Sequence, residues 1–167
     1  MKFLSNKERG AAIRAELKKL GYNSKQISVR SGNCGYSCYS SITIKDLSID
    51  IKLVERACLK FKDIDYDERT GEILEGGNTY IRVDYDYKTL VIAENEQMPK
   101  VEKIIAELEN RQIPIKKGNV EYRLCKDSNG FYVTRYEAGN YCGMEINTRN
   151  VHDYKMWLAR AFATNFA

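Results

Sequence analysis

Apolar residues near the start of the chain recur at helical spacing, and this pattern predicts a first helix whose apolar stripe is Ile13, Leu17 and Leu20. Ser5 precedes that stretch and Glu8 follows three residues later, which is the spacing of an N-terminal capping box. Gly21 stands where a glycine commonly ends a helix. We therefore expect the first helix to lie between Ser5 and Gly21.

The next stretch, residues 27–45, alternates in period two on both sides of a glycine-containing loop, which predicts a β-hairpin with one buried face. The residues expected on the buried face are Ile27, Val29, Cys38, Ser40, Ile42 and Ile44. The residues expected on the opposite face are Ser28, Arg30, Tyr39, Ser41, Thr43 and Lys45. That second face is polar enough to meet water or a partner.

A second helix and a third strand complete the pattern of the first half. The helix is predicted from Ser48, with one apolar face made of Ile51, Val54, Cys58 and Phe61. An acidic linker then leads to the strand TYIRVDYDY. One face of this strand is expected to hold Ile81, Val83, Tyr85 and Tyr87, and the other Tyr80, Arg82, Asp84 and Asp86.

The second half of the chain is predicted to contain two helices and an antiparallel hairpin or three-stranded sheet. Residues 88–98 are interpreted as a short strand and connector, and a third helix is predicted from about Pro99, since proline is tolerated in a first helical turn. Two strands, Val120–Cys125 and Phe131–Tyr136, are predicted on either side of the turn at residues 127–130, and a third short strand is expected near Met144–Ile146. A last helix is predicted from about Val151 to Asn165.

These elements predict an α+β fold. Its first part, residues 1–90, is a helix-strand-strand-helix-strand unit. Its second part, residues 91–167, is a helix, an antiparallel hairpin or three-stranded sheet, and a C-terminal helix. The second part either packs on the first as one globule or forms its own lobe.

Composition is typical of a soluble protein of the cytoplasm. The 167 residues are 43% hydrophobic and 30% charged, enough to bury a core and far from the disordered regime. No run of 18 apolar residues occurs, and the N-terminal residues lack the apolar core of a signal peptide. Five cysteines, an odd number, favour reduced thiols over a disulfide framework.

Charge is spread unevenly along the chain. Residues 1–60 carry 12 Lys and Arg against 5 Asp and Glu, residues 61–112 carry 7 against 13, and residues 113–167 carry 8 against 5. The basic first third could follow a phosphate backbone or an acidic protein face, or it could be an ordinary solvated surface. The net charge of +4 argues against a DNA mimic.

Motifs for catalysis or metal binding are weak. Cys34 and Cys38 have a spacing compatible with two zinc ligands, but no second tight pair completes a structural site. The acidic run from Asp63 fails the EF-hand pattern, with Glu68 at the glycine position and Leu74 at the glutamate position. The glycine-containing loops match no phosphate-binding fingerprint. We therefore expect no enzyme activity, no metal and no cofactor.

The remaining signal is a group of arginine, tyrosine and lysine residues around the predicted hairpin and its neighbouring strand. Arginine beside tyrosine on a sheet can stack bases and hold phosphates, and the same residue types anchor protein interfaces. Ordinary sheet surface is the alternative. The residues expected to bind protein or nucleic acid are Arg30, Tyr36, Tyr39, Lys45, Tyr80 and Arg82.

Several segments resemble the large polyvalent protein-associated domains of phages and conjugative elements. The matching pieces are I-R-A-E-L-K in the first helix, S-V-R-S, the Tyr/Ser-rich turn into S-I-T-I, and G-G-N-T-Y-I. They span roughly residues 5–87, about half of the chain.

The resemblance implies a stand-alone module that mobile elements carry into a bacterial host. It implies a non-enzymatic anti-defence protein, similar to an anti-CRISPR protein, whose partner is a host defence nuclease or its guide-nucleic-acid complex. The runner-up hypothesis is a nucleic-acid-binding accessory module that uses the basic, Tyr- and Arg-bearing sheet face. Neither hypothesis involves a membrane.

Overall fold

The computed structural model describes residues 4–108 and 111–166 and confirms the α+β class. Its elements in chain order are α1 (Asn6–Lys19), β1 (Ile27–Cys34), β2 (Ser37–Ile44), α2 (Ile51–Cys58), a short 3₁₀ turn (Leu59–Phe61), β3 (Thr79–Tyr85), α3 (Tyr87–Leu108), β4 (Ile113–Lys117), β5 (Val120–Asp127), β6 (Gly130–Glu137), β7 (Asn140–Thr148) and α4 (Val151–Ala163). Within the described ranges, no helix combines the length and hydrophobicity that crossing a bilayer requires. The chain divides into two compact units, one up to Thr89 and the other from Leu90 to Phe166.

The first unit is a three-stranded sheet in the order β1-β2-β3. β1 and β2 form the expected antiparallel hairpin, whereas β2 and β3 run parallel. Parallel neighbours need a crossover connection, and α2 supplies it. Helices and sheet bury a common core of Ile13, Leu17, Ile27, Val29, Ile42, Ile44, Ile49, Val54 and Cys58.

The predicted capping box of α1 is confirmed. The Ser5 hydroxyl accepts a hydrogen bond from the Glu8 N–H at 3.3 Å, and the Glu8 carboxylate accepts one from the Ser5 N–H at 2.9 Å. Gly21 follows the helix with φ +88°, a left-handed conformation that glycine adopts without strain. Local sequence therefore sets both ends of α1. Leu20, expected on the apolar stripe, is instead the exposed residue at the C-terminal cap, because the helix ends before its side chain can reach the core.

The prediction for residues 88–98 was wrong. This stretch is the first half of α3, which begins at Tyr87 and continues through Pro99. The proline removes one intrahelical N–H, but apolar burial at Leu90 and Val101 on either side holds the helix together. Tyr87, expected on the same face of the third strand as Ile81, instead begins this helix and is 78% exposed.

The second unit is an antiparallel sheet of four strands in the order β4-β5-β6-β7. The predicted hairpin is confirmed as β5 and β6, and the predicted third strand is β7. The pattern missed β4, a short strand that contains Pro114. The core of this unit comes from α3, the sheet and α4: Val101, Leu108, Tyr122, Leu124, Phe131, Val133, Tyr154, Leu158 and Ala159.

Candidate functional site

Within the first unit, α1 and α2 pack on one face of the sheet, and the opposite face carries residues that are exposed or partly exposed. Paired residues on neighbouring strands point to the same side of a sheet, so the strand register places the residues of this opposite face in rows. The rows are Gly32–Tyr39–Tyr80, Arg30–Ser41–Arg82 and Ser28–Thr43–Asp84. We call these nine residues the outer face. Four of the six predicted binding residues, Arg30, Tyr39, Tyr80 and Arg82, thus lie on one continuous surface.

The two tyrosines of the outer face are direct neighbours on β2 and β3. Strands in a sheet are about 4.8 Å apart, so the two side chains start within contact range. Tyr39 remains 41% exposed and Tyr80 37% exposed. The ring of Tyr39 lies over Gly32, where an added Cβ would come within 2.9 Å of its Oη atom. Gly32 therefore makes room for the ring on the surface of the sheet.

The two arginines of the outer face differ in their surroundings. Arg82 Nε donates to Asp84 Oδ2 at 2.6 Å, and this contact raises the pKa of the Arg82 guanidinium. Arg30 is exposed and has no ion pair among residues 4–108 and 111–166. The rows thus carry two positive charges and one negative charge, so the outer face is mildly basic and Arg30 is its uncompensated cation.

The other two predicted residues lie at the margins. Tyr36 sits in the turn between β1 and β2 and is 87% exposed. Its carbonyl accepts a hydrogen bond from Gly77 N–H at 3.1 Å, which ties the turn to the loop before β3. Lys45 directly follows β2, and its charge helps to hold the pKa of Asp86 below its ordinary value, after the larger effect of hydrogen bonds from Thr89. Neither residue belongs to the three rows.

Small residues in β1 and β2 have a structural role on the opposite, helix-covered face. The hydroxyls of Ser31 and Ser40 are 2.7 Å apart, and Ser40 is fully buried. Helix α1 approaches closely here, since a Cβ added at Gly10 would lie 3.2 Å from Ser31 Oγ. The serine content of this hairpin is therefore explained in part by helix packing.

The thiols do not assemble into a site. Asn33 pairs with Cys38, and Cys34 with Ser37, so Cys34 and Cys38 project from opposite faces of the hairpin. Among the described residues, no three His, Cys, Asp or Glu side chains are grouped as metal ligands would be. Burial raises the pKa of Cys58 to about 11, with the Glu16 charge contributing further, and it also raises the pKa of Cys125.

Sequence reasoning missed a second tyrosine–arginine cluster, on the second sheet. Arg123 stacks on Tyr136 with 4.0 Å between the guanidinium and the ring centroid. Glu121 accepts a hydrogen bond from Arg123 at 2.6 Å, which lowers the pKa of Glu121, and it also pairs with Lys116 at 3.7 Å. The alternation of polar and apolar residues along β5 was the signal in the sequence from which this cluster could have been found. Because Arg123 is already held by both partners, its cluster is less suited to a new ligand than Arg30.

The outer face of the first sheet is therefore the candidate site. It combines two adjacent exposed tyrosines, an unpaired arginine and a second arginine with one carboxylate partner. Such a surface can stack against planar groups and pair with anions. In comparisons with known proteins, no family model, no curated protein and no solved structure matches this chain.

Proposed function

We propose that the protein is a non-enzymatic binding protein whose outer face docks on a host defence nuclease complex and inhibits it. The observation that carries the docking proposal is the placement of Tyr39 and Tyr80 side by side, with Arg30 and Arg82 in the next row. The nature of the partner comes from the resemblance to mobile-element proteins and stays a prediction.

The chemistry of the outer face suits a macromolecular partner. Tyrosine and arginine dominate the binding energy of many protein interfaces, because they bury a large area while keeping a polar group available. A sheet also fixes the backbone positions of its residues, so little backbone freedom is lost on docking. The area around the tyrosines would form the interface centre, and Arg30 would pair with an acidic group at its margin.

The test is co-purification of the tagged protein with its partner from bacterial host lysate, followed by a cleavage assay on the captured nuclease. We expect Tyr39→Ala combined with Tyr80→Ala to lose the partner and to relieve the inhibition. Tyr87→Ala, which removes a more exposed tyrosine that lies at the start of α3 and outside the outer face, is the control and should behave as wild type. Unimpeded cleavage in the presence of wild-type protein would refute the proposal.

A second candidate function is nucleic-acid binding through the same face, in which Tyr36 and Lys45 extend the contact. Adjacent exposed aromatic side chains on a sheet are a known platform for unpaired bases, and the uncompensated Arg30 favours this alternative. Binding to a short thymidine oligonucleotide should then weaken steeply with salt. Arg30→Ala should reduce the salt slope by about one, whereas Arg69→Ala, in the loop before β3, should not. A flat salt response contradicts this function.

A further inference from the structure

Strand β1 forms one edge of the first sheet, because it pairs with β2 alone among the described strands. Lys45 N–H donates to the Gln26 carbonyl at 2.7 Å, which fixes these two residues as a hydrogen-bonded pair. Hydrogen-bonded and non-hydrogen-bonded pairs alternate along an antiparallel ladder. The backbone groups of Ile27, Val29 and Ser31 therefore point away from β2, toward the open edge.

Part of this edge already has partners from the same unit. The Ile27 N–H donates to the Asn23 carbonyl at 3.0 Å, and the Val29 carbonyl accepts from Arg14 Nη2 at 3.0 Å. For the N–H groups of Val29 and Ser31, the structure gives no acceptor within residues 4–108 and 111–166. The edge thus retains the donors that an added strand would use.

A groove of about 420 Å³ runs beside this edge, between β1 and the C-terminal half of α1. Apolar side chains of Leu17, Tyr22 and Ile27 contribute to its lining. The charged residues that line it are Arg14 and Lys18, and none of the acidic residues in the described part of the chain lines it. The groove therefore combines an apolar lining with a positive charge.

We infer that the β1 edge and this groove bind an extended acidic peptide segment, which adds to the first sheet as a fourth strand. In strand addition, backbone hydrogen bonds supply affinity and side-chain pockets supply specificity. Here one apolar side chain of the peptide would enter the groove, and flanking carboxylates would pair with Arg14 and Lys18. The inference does not rest on the proposed function, because it uses the sheet edge and not the outer face.

The positive charge of the groove favours an acidic peptide over a second copy of this chain. Two copies joined edge to edge at β1 would bring both Arg14–Lys18 pairs toward one interface, and like charges would oppose the association. An acidic segment instead neutralises them. A peptide N–H can also replace Arg14 at the Val29 carbonyl, which releases the guanidinium to bind a carboxylate in a two-pronged arrangement.

The test uses a blocked, fluorescent peptide of sequence Glu-Glu-Val-Glu-Val-Glu-Glu, and a matched peptide in which lysine replaces every glutamate. We expect only the acidic peptide to bind. Lys18→Glu should weaken its binding at least threefold in fluorescence anisotropy. Lys7→Glu makes the same charge change on α1 outside the groove, so its binding should stay within twofold of wild type.

Amide hydrogen exchange shows whether the peptide binds along the β1 edge. On binding, the Val29 and Ser31 amides should become protected, while those of Ser28 and Arg30, which already face β2, should change little. The inference would be overturned if the acidic peptide did not bind or if the lysine peptide bound equally well. It would also be overturned if the amides of Val29 and Ser31 gained no protection. A dimer that protects these two amides without peptide would assign the edge to a second copy and would also overturn it.

Discussion

The ring of Tyr39 lies across Gly32, the residue paired with it on the neighbouring strand of the first sheet. An added Cβ at Gly32 would approach Tyr39 Oη at 2.9 Å and Cζ at 3.0 Å. Such distances force the ring to move, and a tyrosine ring can move because it ends a flexible side chain. The position of Tyr39 on the outer face thus depends on a glycine two strand positions beyond Arg30.

Gly32→Ala is expected to weaken partner binding without unfolding the protein, because it displaces the Tyr39 ring from the outer face. A double-mutant cycle checks this: in a Tyr39→Ala background, Gly32→Ala should have little further effect on affinity. Circular dichroism and thermal unfolding verify the fold of each variant. Additive losses from the two substitutions would show that Gly32 acts independently of Tyr39.

Asp84→Asn is expected to strengthen binding of an anionic ligand to the outer face, by up to about fivefold, because it frees Arg82 from its ion pair. Arg82→Ala should have the opposite effect. Anisotropy with a short thymidine oligonucleotide at low salt measures both. Glu75→Gln, an exposed change of the same charge in the loop before β3, is the control. If the two acidic substitutions have equal effects, only the net charge matters and the ion pair does not.

The stability of the first unit is expected to fall in acid partly through Glu8. Hydrogen bonds from the Ser5 hydroxyl and N–H hold the pKa of Glu8 below its ordinary value. A lowered folded-state pKa adds stability above the unfolded pKa, about 4.3 for glutamate, and that stability is lost as the pH falls through the folded value. Glu8→Gln should therefore destabilise the protein at pH 7, and the difference from wild type should vanish in acid.

Urea unfolding at a series of pH values measures this difference. Glu75→Gln again serves as the control, since Glu75 caps no helix. If the difference in the free energy of unfolding between Glu8→Gln and wild type stayed the same at every acidic pH, the capping explanation would be contradicted.

The cysteines are expected to react with a thiol reagent in the order of their exposure. Cys34 and Cys142 are exposed, Cys38 is intermediate, and Cys58 and Cys125 are buried. With a pKa of about 11, Cys58 holds about 0.1% thiolate at pH 8. Two thiols should therefore react quickly in the native protein, Cys38 more slowly, and the buried pair only after unfolding. Mass spectrometry of labelled peptides identifies which cysteines have reacted. Rapid labelling of Cys58 in the native protein would contradict its burial.

The same thiol adds a stability effect at high pH. Because burial raises the folded pKa of Cys58 above the unfolded value, its stabilising contribution is complete below the unfolded pKa, about 8.5. It is lost as the pH rises through about 11. Cys58→Ala should accordingly remove part of the alkaline loss of stability, which thermal unfolding at several pH values can detect.

Much of the candidate site was accessible from the sequence. Period-two alternation placed Arg30 and Tyr39 on one face of the predicted hairpin, and Tyr80 and Arg82 on one face of the third strand, because neighbouring side chains of a strand point to opposite sides. Alternation does not reveal which strands pair or in which register. The pairing of β2 with β3, which sets Tyr39 beside Tyr80, and the position of the Tyr39 ring over Gly32 came from the tertiary structure.

Elements with local signals could be predicted from the order of residues alone. The capping box at Ser5, the alternation of β1 and β2, and the turn between β5 and β6 are set by residues close together in the chain. Backbone sterics and neighbouring hydrogen bonds suffice for such features.

Features that depend on contacts between distant residues could be read only from the folded chain. Helix α3 continues through Pro99 because burial of Leu90 and Val101 outweighs the local preference for a helix start, and β4 exists because β5 provides its hydrogen-bonding partner. Whether a face is covered is also a property of packing. The helices cover one side of the first sheet because Ile42 and Ile44 bury more apolar surface there than the serine and threonine residues of the outer face could.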